Sequence, residues 1–173
     1  MSDCDYEYLL QWKWYFHKHH TGKSGYAARY VDSPDRRVIF MHTIVANRMG
    51  IGRPDHRDRN KLNCRRGNLR LATERQNQGN ADLRRDNKSG YKGVGWHALT
   101  GQWRAYIRQG RTLRNLGYFP NSKDGKMQAA YAYNVAAIKC FGEFAVLNLV
   151  EQTLTDDIKE RILNSVLQAL KES

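Results

Sequence analysis

Between Pro54 and Asn77 the chain reads PDHRDRNKLNCRRGNLRLATERQN, a run that sets Asp, His and Asn at spaced positions inside an arginine-rich frame. Asp55 and His56 are adjacent, so in an extended segment their side chains point to opposite sides, and one can hold a cation while the other faces a water. Asn77 ends LRLATERQN, which reads as a short helix. Folded back on a hairpin, that helix can bring an amide oxygen beside Asp55. Hard oxygen donors suit Mg²⁺, with Mn²⁺ as its substitute, because such an ion keeps several waters and needs only one or two protein ligands plus a substrate phosphate. A neutral imidazole titrates near pH 7 and is well matched to deprotonating a water for attack on phosphorus. The chemistry expected is metal-dependent hydrolysis at phosphorus.

Two other readings of the same residues are weighed against it. Asp and Asn also serve as ordinary turn and capping residues. Asp55, Asp58 and Asn60 are all oxygen donors and suggest a calcium loop, but Asn60 falls where that loop needs Gly and Arg66 where it needs Glu.

The rest of the chain must position this stretch and supply its partner. Its 173 residues suffice for one ordinary domain or two small ones, and a formal net charge of +12 marks a polyanion as the partner. From residue 151 onward Glu151, Asp156, Asp157, Glu160 and Glu172 outnumber Lys159, Arg161 and Lys171, so the tail lies outside the basic surface. Cys4, Cys64 and Cys140 are odd in number, widely spaced and without a C-x-x-C, which disfavours both a zinc ribbon and a disulfide framework. With no basic, apolar leader and no long apolar run, the expectation is a soluble protein in the host cytoplasm, at the nucleoid, with no membrane partner.

Upstream, YLLQWKWYFHKHH, YAARYVD and RRVIFMH read as strands separated by the turns TGKSG and SPD, and HTIVANRMG as a helix. Trp12, Trp14 and Phe16 alternate at period two, which predicts one buried face. His17, His19 and His20 lack a third ligand at useful spacing and read as an exposed strand end near nucleic acid rather than a metal site.

Downstream, QGNADLRRDNKSG is a polar connector carrying Arg84, Arg85 and Lys88, suited to a phosphate backbone or simply solvated. YKGVGWH, QWRAYIRQ and LRNLGYF then read as three strands, with Trp103, Ala105 and Ile107 on one side of the middle one and Arg104, Tyr106 and Arg108 on the other. A helix over about 126 to 141 repeats Ala129, Ala130, Tyr133, Ala136, Ala137 and Cys140 at spacings of three and four, which lets it lie close to a sheet. The sheet's basic, aromatic side is left outward and fits a major groove. A last helix begins at Thr155 and carries an apolar stripe of Ile158, Ile162, Leu163, Val166, Leu167 and Leu170, to be covered by either domain or by a second copy in a homodimer.

The string DH-x-D-x-N-x-x-N followed by NLR-x-x-T-x-x-QN resembles the HNH nuclease family, in its phage and intron-borne homing branch. That resemblance makes Asp55 and Asn77 the metal ligands, His56 the general base and Asn68 the brace of the loop carrying His56. MHTIVA resembles the family's MHRLVA, which places His42 near the DNA or the site. It also implies 5′-phosphate and 3′-hydroxyl products. Arg59 stands where many relatives have Gly in the turn, and Cys64 where many have Asn. The order YKGV, WRAYIR, LGYF, AAYAYNVAAIKCFGEFAVLN resembles the plant AP-two (ethylene-response-factor) DNA-binding domain. On that resemblance Lys92, Gly95, His97, Arg104, Tyr106, Arg108, Arg114 and Asn115 face DNA. Gly95 and His97 replace arginines, Tyr106 an acid and Asn115 a tryptophan, so the plant target sequence does not carry over.

The expected fold class is α+β: a ββα-metal nuclease domain over 1–80, a basic linker over 81–88, a three-stranded antiparallel sheet on one helix over 89–148, and a C-terminal amphipathic helix over 149–173. The expected function is site-specific cleavage of double-stranded DNA. A DNA-binding regulator that kept the scaffold, and an RNA-binding module, are the alternatives.

Overall fold

A computed structural model describes residues 2–18, 24–31, 37–150 and 154–171. The chain divides into two compact units, 1–73 and 74–173. The polar connector at 81–88 falls inside the second of these. His19, His20 and the turn SPD, with most of TGKSG, lie outside the described residues.

The first unit opens with a helix rather than a strand: α1 spans Asp3–Leu10, and β1 only Tyr15–Lys18. The Trp14 indole donates to the Leu9 carbonyl at 2.8 Å, satisfying an acceptor that the helix end leaves open. Trp12 and Trp14 therefore precede the strand and pack against the core, whereas Phe16, inside it, is 56% exposed. The single buried face expected for the three aromatics does not form. β2 (Gly25–Tyr30) pairs antiparallel with β1 and with β3 (Val38–Phe40), giving a three-stranded sheet. α2 (Met41–Arg48) follows directly, and β4 (Pro54–His56) then pairs with β5 (Leu69–Leu71). The stretch LRLATERQN is thus split, its first part a strand and its later part a helix, because Leu69 is drawn into the core as part of a ladder. That core joins Leu9, Met41, Val45, Cys64 and Leu69. Met41 and Val45 are one helical turn apart and so meet it together.

The three-stranded sheet of the second unit has the order β6 (Val94–His97), β7 (Gln102–Gln109), β8 (Thr112–Phe119), all antiparallel. Val94, Ala105, Ile107 and Leu116 are buried on the side that meets α4 (Lys123–Phe141), which returns Ala129, Ala130, Tyr133, Ala136 and Ala137. Leu116 is the extra residue of a bulge in β8, opposite the step from Ala105 to Tyr106. Gly93 has φ +71°, and a Cβ there would lie 1.9 Å from the Tyr133 ring, so the close seat of sheet on helix needs glycine. Ser122 caps α4 by accepting from Gly125 N at 2.9 Å. Asn148 accepts from Lys92 N at 2.7 Å, donates to its carbonyl at 3.0 Å, and exchanges two further bonds with Asn134, fastening the strap after α4 to the start of the sheet.

α3 (Glu74–Gly79) belongs to this unit as well: Gln78 accepts from Gly110 N, and the Gly79 carbonyl accepts from Val146 N and from the Lys92 ammonium. α5 (Asp156–Lys171) packs on α4 and β8 and buries Ile162 and Val166. Of the apolar stripe expected to need a cover, Ile162 and Val166 are buried within the unit and Leu163 stays exposed. All three cysteines are free thiols, and among the described residues no helix is long and apolar enough to cross a membrane.

The first unit's N-terminal helix is held by a buried charge. Asp5 accepts from Arg48 Nε at 2.9 Å and from Arg66 Nε and Nη2 at 2.8 Å, tying α1 to α2 and to the turn before β5. Hydrogen bonding from Arg66, helped by Arg48 and only partly offset by burial, holds its carboxyl at about 2 against an ordinary 3.8. Because the folded pKa lies below the unfolded one, this contribution is complete above the ordinary value and disappears as pH falls through about 2. After allowance for solvent at the half-exposed guanidiniums it is about 1–2 kcal/mol. Urea unfolding of Asp5→Asn should therefore show a deficit at neutral pH that narrows steadily as the pH is lowered below 4. An acid-independent deficit would show that the ion pairs do not hold α1.

Candidate active site

β4 and β5 set Pro54 opposite Leu71, Asp55 opposite Arg70 and His56 opposite Leu69. Proline fits the first position of a strand, where no ladder donor is required. Alternation then sends Asp55 and His56 to opposite faces of the ladder. The Asp55 Oδ2 accepts from Arg70 Nε at 2.9 Å, with both side chains buried. Arg70 was not singled out in the sequence. Nothing in NLRL reports a register, and only the register brings that guanidinium to Asp55.

On the other face His56 meets His42, the second residue of α2, with ring centroids 5.1 Å apart at 71°. Tyr26 of β2 lies 5.0 Å from His42 and 6.4 Å from His56, and Phe40 stacks on His42 at 5.6 Å. Tyr26 was likewise invisible in the sequence, being one tyrosine of ten. Burial, reinforced by His56, pushes His42 down to about 4. Its Nδ1 is buried without a hydrogen-bond partner among the described residues. Burial also lowers His56 from the ordinary 6.5, outweighing the neighbouring Asp55 and Asp58 carboxylates. Both imidazoles are neutral at pH 7, the form that can accept a proton.

The loop leaving His56 is built by asparagines. Asn68 accepts from Asp58 N at 3.0 Å and donates to Asp58 Oδ1 at 2.9 Å and to the Asn63 carbonyl at 2.8 Å. Its own carbonyl accepts from Arg57 N at 2.9 Å. Asp58 also accepts from Asn60 N and from the Asn63 amide, and Asn60 from Leu62 N, the turn chemistry for which these residues are suited. Burial would raise Asp58, but the bonds from Asn63, Asn60 and Asn68 prevail and hold it below 3.8. Lys61 spans outward to β2, where its ammonium donates to Ser24 and lies 4.9 Å over the Tyr26 ring. Arg59, in the turn, has φ +63°, a conformation that favours glycine.

Asn77 is half-buried on α3, in the second unit. Among the described residues no group of three or more His, Cys, Asp or Glu is placed to hold a metal ion. The outward side of the second unit's sheet carries Arg104, Tyr106 and Arg108 from β7 and Asn115 from β8. Arg104 donates to Asn115 Oδ1 at 3.1 Å and lies 5.9 Å from the Tyr106 ring. His97 shares a 3.0 Å hydrogen bond with Thr100. Two other expected DNA-facing residues are engaged internally: Lys92 donates to the carbonyls of Gly79 and Ala81, and Arg114 to that of Leu170. Arg84 pairs with Asp86 at 3.0 Å, and Arg85 is exposed.

A family model described as HNH endonuclease matches residues 53–78, taking in Asp55, His56, Asn68 and Asn77. A protein of Acanthamoeba polyphaga mimivirus, named as an uncharacterized HNH endonuclease, is 31% identical over 149 residues, covering 83% of this chain and 70% of that one. The chain belongs to the HNH endonuclease family. Membership makes it a nuclease acting on DNA. No solved structure matches the chain. As an HNH endonuclease it has an α+β architecture whose matched stretch begins just before β4 and ends within α3.

Two substitutions separate positioning from chemistry. Asn68→Ala leaves the Asp58 amide and the Asn63 carbonyl without their partner and should cost about 1–3 kcal/mol. Amide exchange should quicken at Asp58, and an unchanged rate there would show that Asn68 does not hold the loop. At position 59, Arg59→Gly should unfold at the same temperature or higher, while Arg59→Val should lose about 1–3 kcal/mol in thermal unfolding, since a β-branched residue is strained at positive φ. Equal tolerance of both would show that the turn does not keep this conformation.

Proposed function

We propose that this HNH endonuclease is a homing-type, site-specific enzyme that hydrolyses DNA phosphodiester bonds with a single Mg²⁺ or Mn²⁺, on a ββα-metal arrangement. The observation that carries the reading is a buried, neutral His56 on the strand that also bears Asp55, followed by a loop laced by Asn68. The donor set fits such an ion. It offers hard oxygens in small number, whereas a structural zinc needs four nitrogen or sulfur ligands. Asp55 would hold the cation, its other role being the bond to Arg70. Asn77, inside the matched stretch and on the second unit, is named as a ligand by the family resemblance alone. When bound, the cation supplies positive charge at the scissile phosphate and the departing oxygen.

The chain's own residues do the rest. His56 takes the proton from the attacking water as its general base, and burial against Tyr26 and His42 keeps its imidazole neutral. Asn68 fixes the loop in which that imidazole begins, and Arg70 fixes the carboxylate on the opposite face. His42 acts on His56 through ring contact. In the second unit, three antiparallel strands on one helix support an AP-two-like module. Arg104, Tyr106, Arg108 and Asn115 meet the duplex, with His97, Arg84 and Arg85 along its backbone. Lys92 and Arg114, engaged with main-chain carbonyls, are left out of this contact set.

Supercoiled and linear duplex DNA incubated with Mg²⁺ or Mn²⁺ should be cut by the wild type. Cutting should fall by about 10²–10⁴ in His56→Ala and be lost in Asp55→Asn, with binding kept in both. Binding without cutting in either metal, on DNA shown to hold a bound site, would favour a regulator instead. Arg104→Gln and Arg108→Gln should each weaken binding across sequences or at one base position, and reduce the salt slope by about one where the contact is to phosphate. An unaltered slope and specificity in both would remove the sheet face from the interface.

A further inference from the structure

The helical side of the second unit's sheet holds a cavity of about 440 Å³, whose lining includes Arg75, Arg114, Lys139, Leu167, Leu170 and Lys171. It is not part of the proposed DNA face. Arg114 stands opposite Ile107 in the β7–β8 ladder, and so shares the side that meets α4, whereas Tyr106 and Arg108 face away. Four of the lining residues are cations, drawn from α3, β8, α4 and α5, and none is a carboxylate. Arg114 uses Nη1 on the Leu170 carbonyl at 2.8 Å, while its Nε is buried with no hydrogen-bond partner among the described residues. A buried guanidinium donor left unsatisfied is costly unless an acceptor arrives. The acceptor that suits a guanidinium fork beside two ammonium groups is a phosphate. Leu167 and Leu170 supply an apolar wall that a bare inorganic ion would not use, and the volume falls in the range that holds small organic ligands.

We propose that this cavity is a binding site for the phosphate of a nucleotide, with Arg114 and Lys139 on the phosphate and Leu167 and Leu170 against the sugar or base. The proposal is independent of the nuclease reading. The phosphate comes either from a nucleotide of a DNA strand or from a free nucleotide. A purely architectural reading competes with it: Lys139 and Lys171 sit in the last turns of α4 and α5, where cations favour the helix ends.

The test is NMR titration of the full chain with inorganic phosphate and with deoxyadenosine 5′-monophosphate, following the Arg114 Nε–Hε signal and the Leu167 and Leu170 methyl groups. The nucleotide should give saturable shifts at all three, tighter than phosphate, and the Arg75→Gln/Lys139→Gln double variant should weaken it by about tenfold, or 1.4 kcal/mol. Displacement of the bound nucleotide by a short duplex or single strand assigns the site to a DNA phosphate. Retention alongside DNA assigns it to a free nucleotide. Phosphate bound as well as the nucleotide, with the leucine methyls unmoved, would overturn the nucleotide assignment. No saturable shift at millimolar concentration would overturn the site and leave the cations as helix caps.

Discussion

Everything proposed for the first unit depends on a ladder only three residues long on each side, β4 against β5. A two-stranded hairpin of that size is marginal in water by itself. It persists because each row is tied elsewhere. Leu69, opposite His56, enters the core with Leu9, Met41 and Val45, and the bond from Ala72 N to the Arg53 carbonyl extends the ladder past its end. Asp55 and Arg70 face one another inside it, and such a pair adds little net stability but penalises a slipped register heavily. A slip by one residue would turn Leu69 outward and separate the carboxylate from its guanidinium. The chemistry of Asp55 and His56 on opposite faces is therefore a consequence of register, and register is secured by the core and by Asn68.

Asn68 also shows how the site's loop escapes the usual mobility of a charged connection. The segment from Asp58 to Asn63 lacks apolar anchors, since Leu62 is exposed, and draws its order from side-chain amides closing on main-chain groups. Such bonds are satisfied locally and do not compete with the sheet. The positive φ at Arg59 is the conformational cost of that compact path.

The site stretch was the most legible part of the chain, because Asp, His and Asn at fixed spacing mark chemistry whatever the surrounding packing. The strand, strand, strand, helix order of the second unit also follows from alternation and from the alanine repeat of α4, whereas the strand at Asp55 and His56 could only be supposed. What sequence could not give is long-range: Arg70 reaches Asp55 through register, Tyr26 reaches the histidines from a strand of a different sheet, and Asp5 finds Arg48 and Arg66 from more than forty residues away. The aromatic run at 12 to 16 misled because period two holds only within a strand. α1 and the Trp14 indole that closes it shift the strand's start past both tryptophans. Arg114 and Lys92 show a different limit, since a basic residue on a strand or loop serves a main-chain carbonyl as readily as a phosphate.

This last distinction bears on how a chain with 29 basic and 17 acidic residues presents its charge. Asp5 and Asp55 are both buried against arginines, and Asp58 is bound by asparagine amides. The remaining acids include the group on α5, away from the matched stretch in sequence. Carboxylates used inside a unit fix its helices and ladders, but they also neutralise arginines that would otherwise add to the outer field. The field available to a polyanion thus comes from exposed cations such as Arg108 on the sheet rather than from the formal total. Net charge identifies the class of partner, while the pairing of each carboxylate decides which surfaces that partner meets.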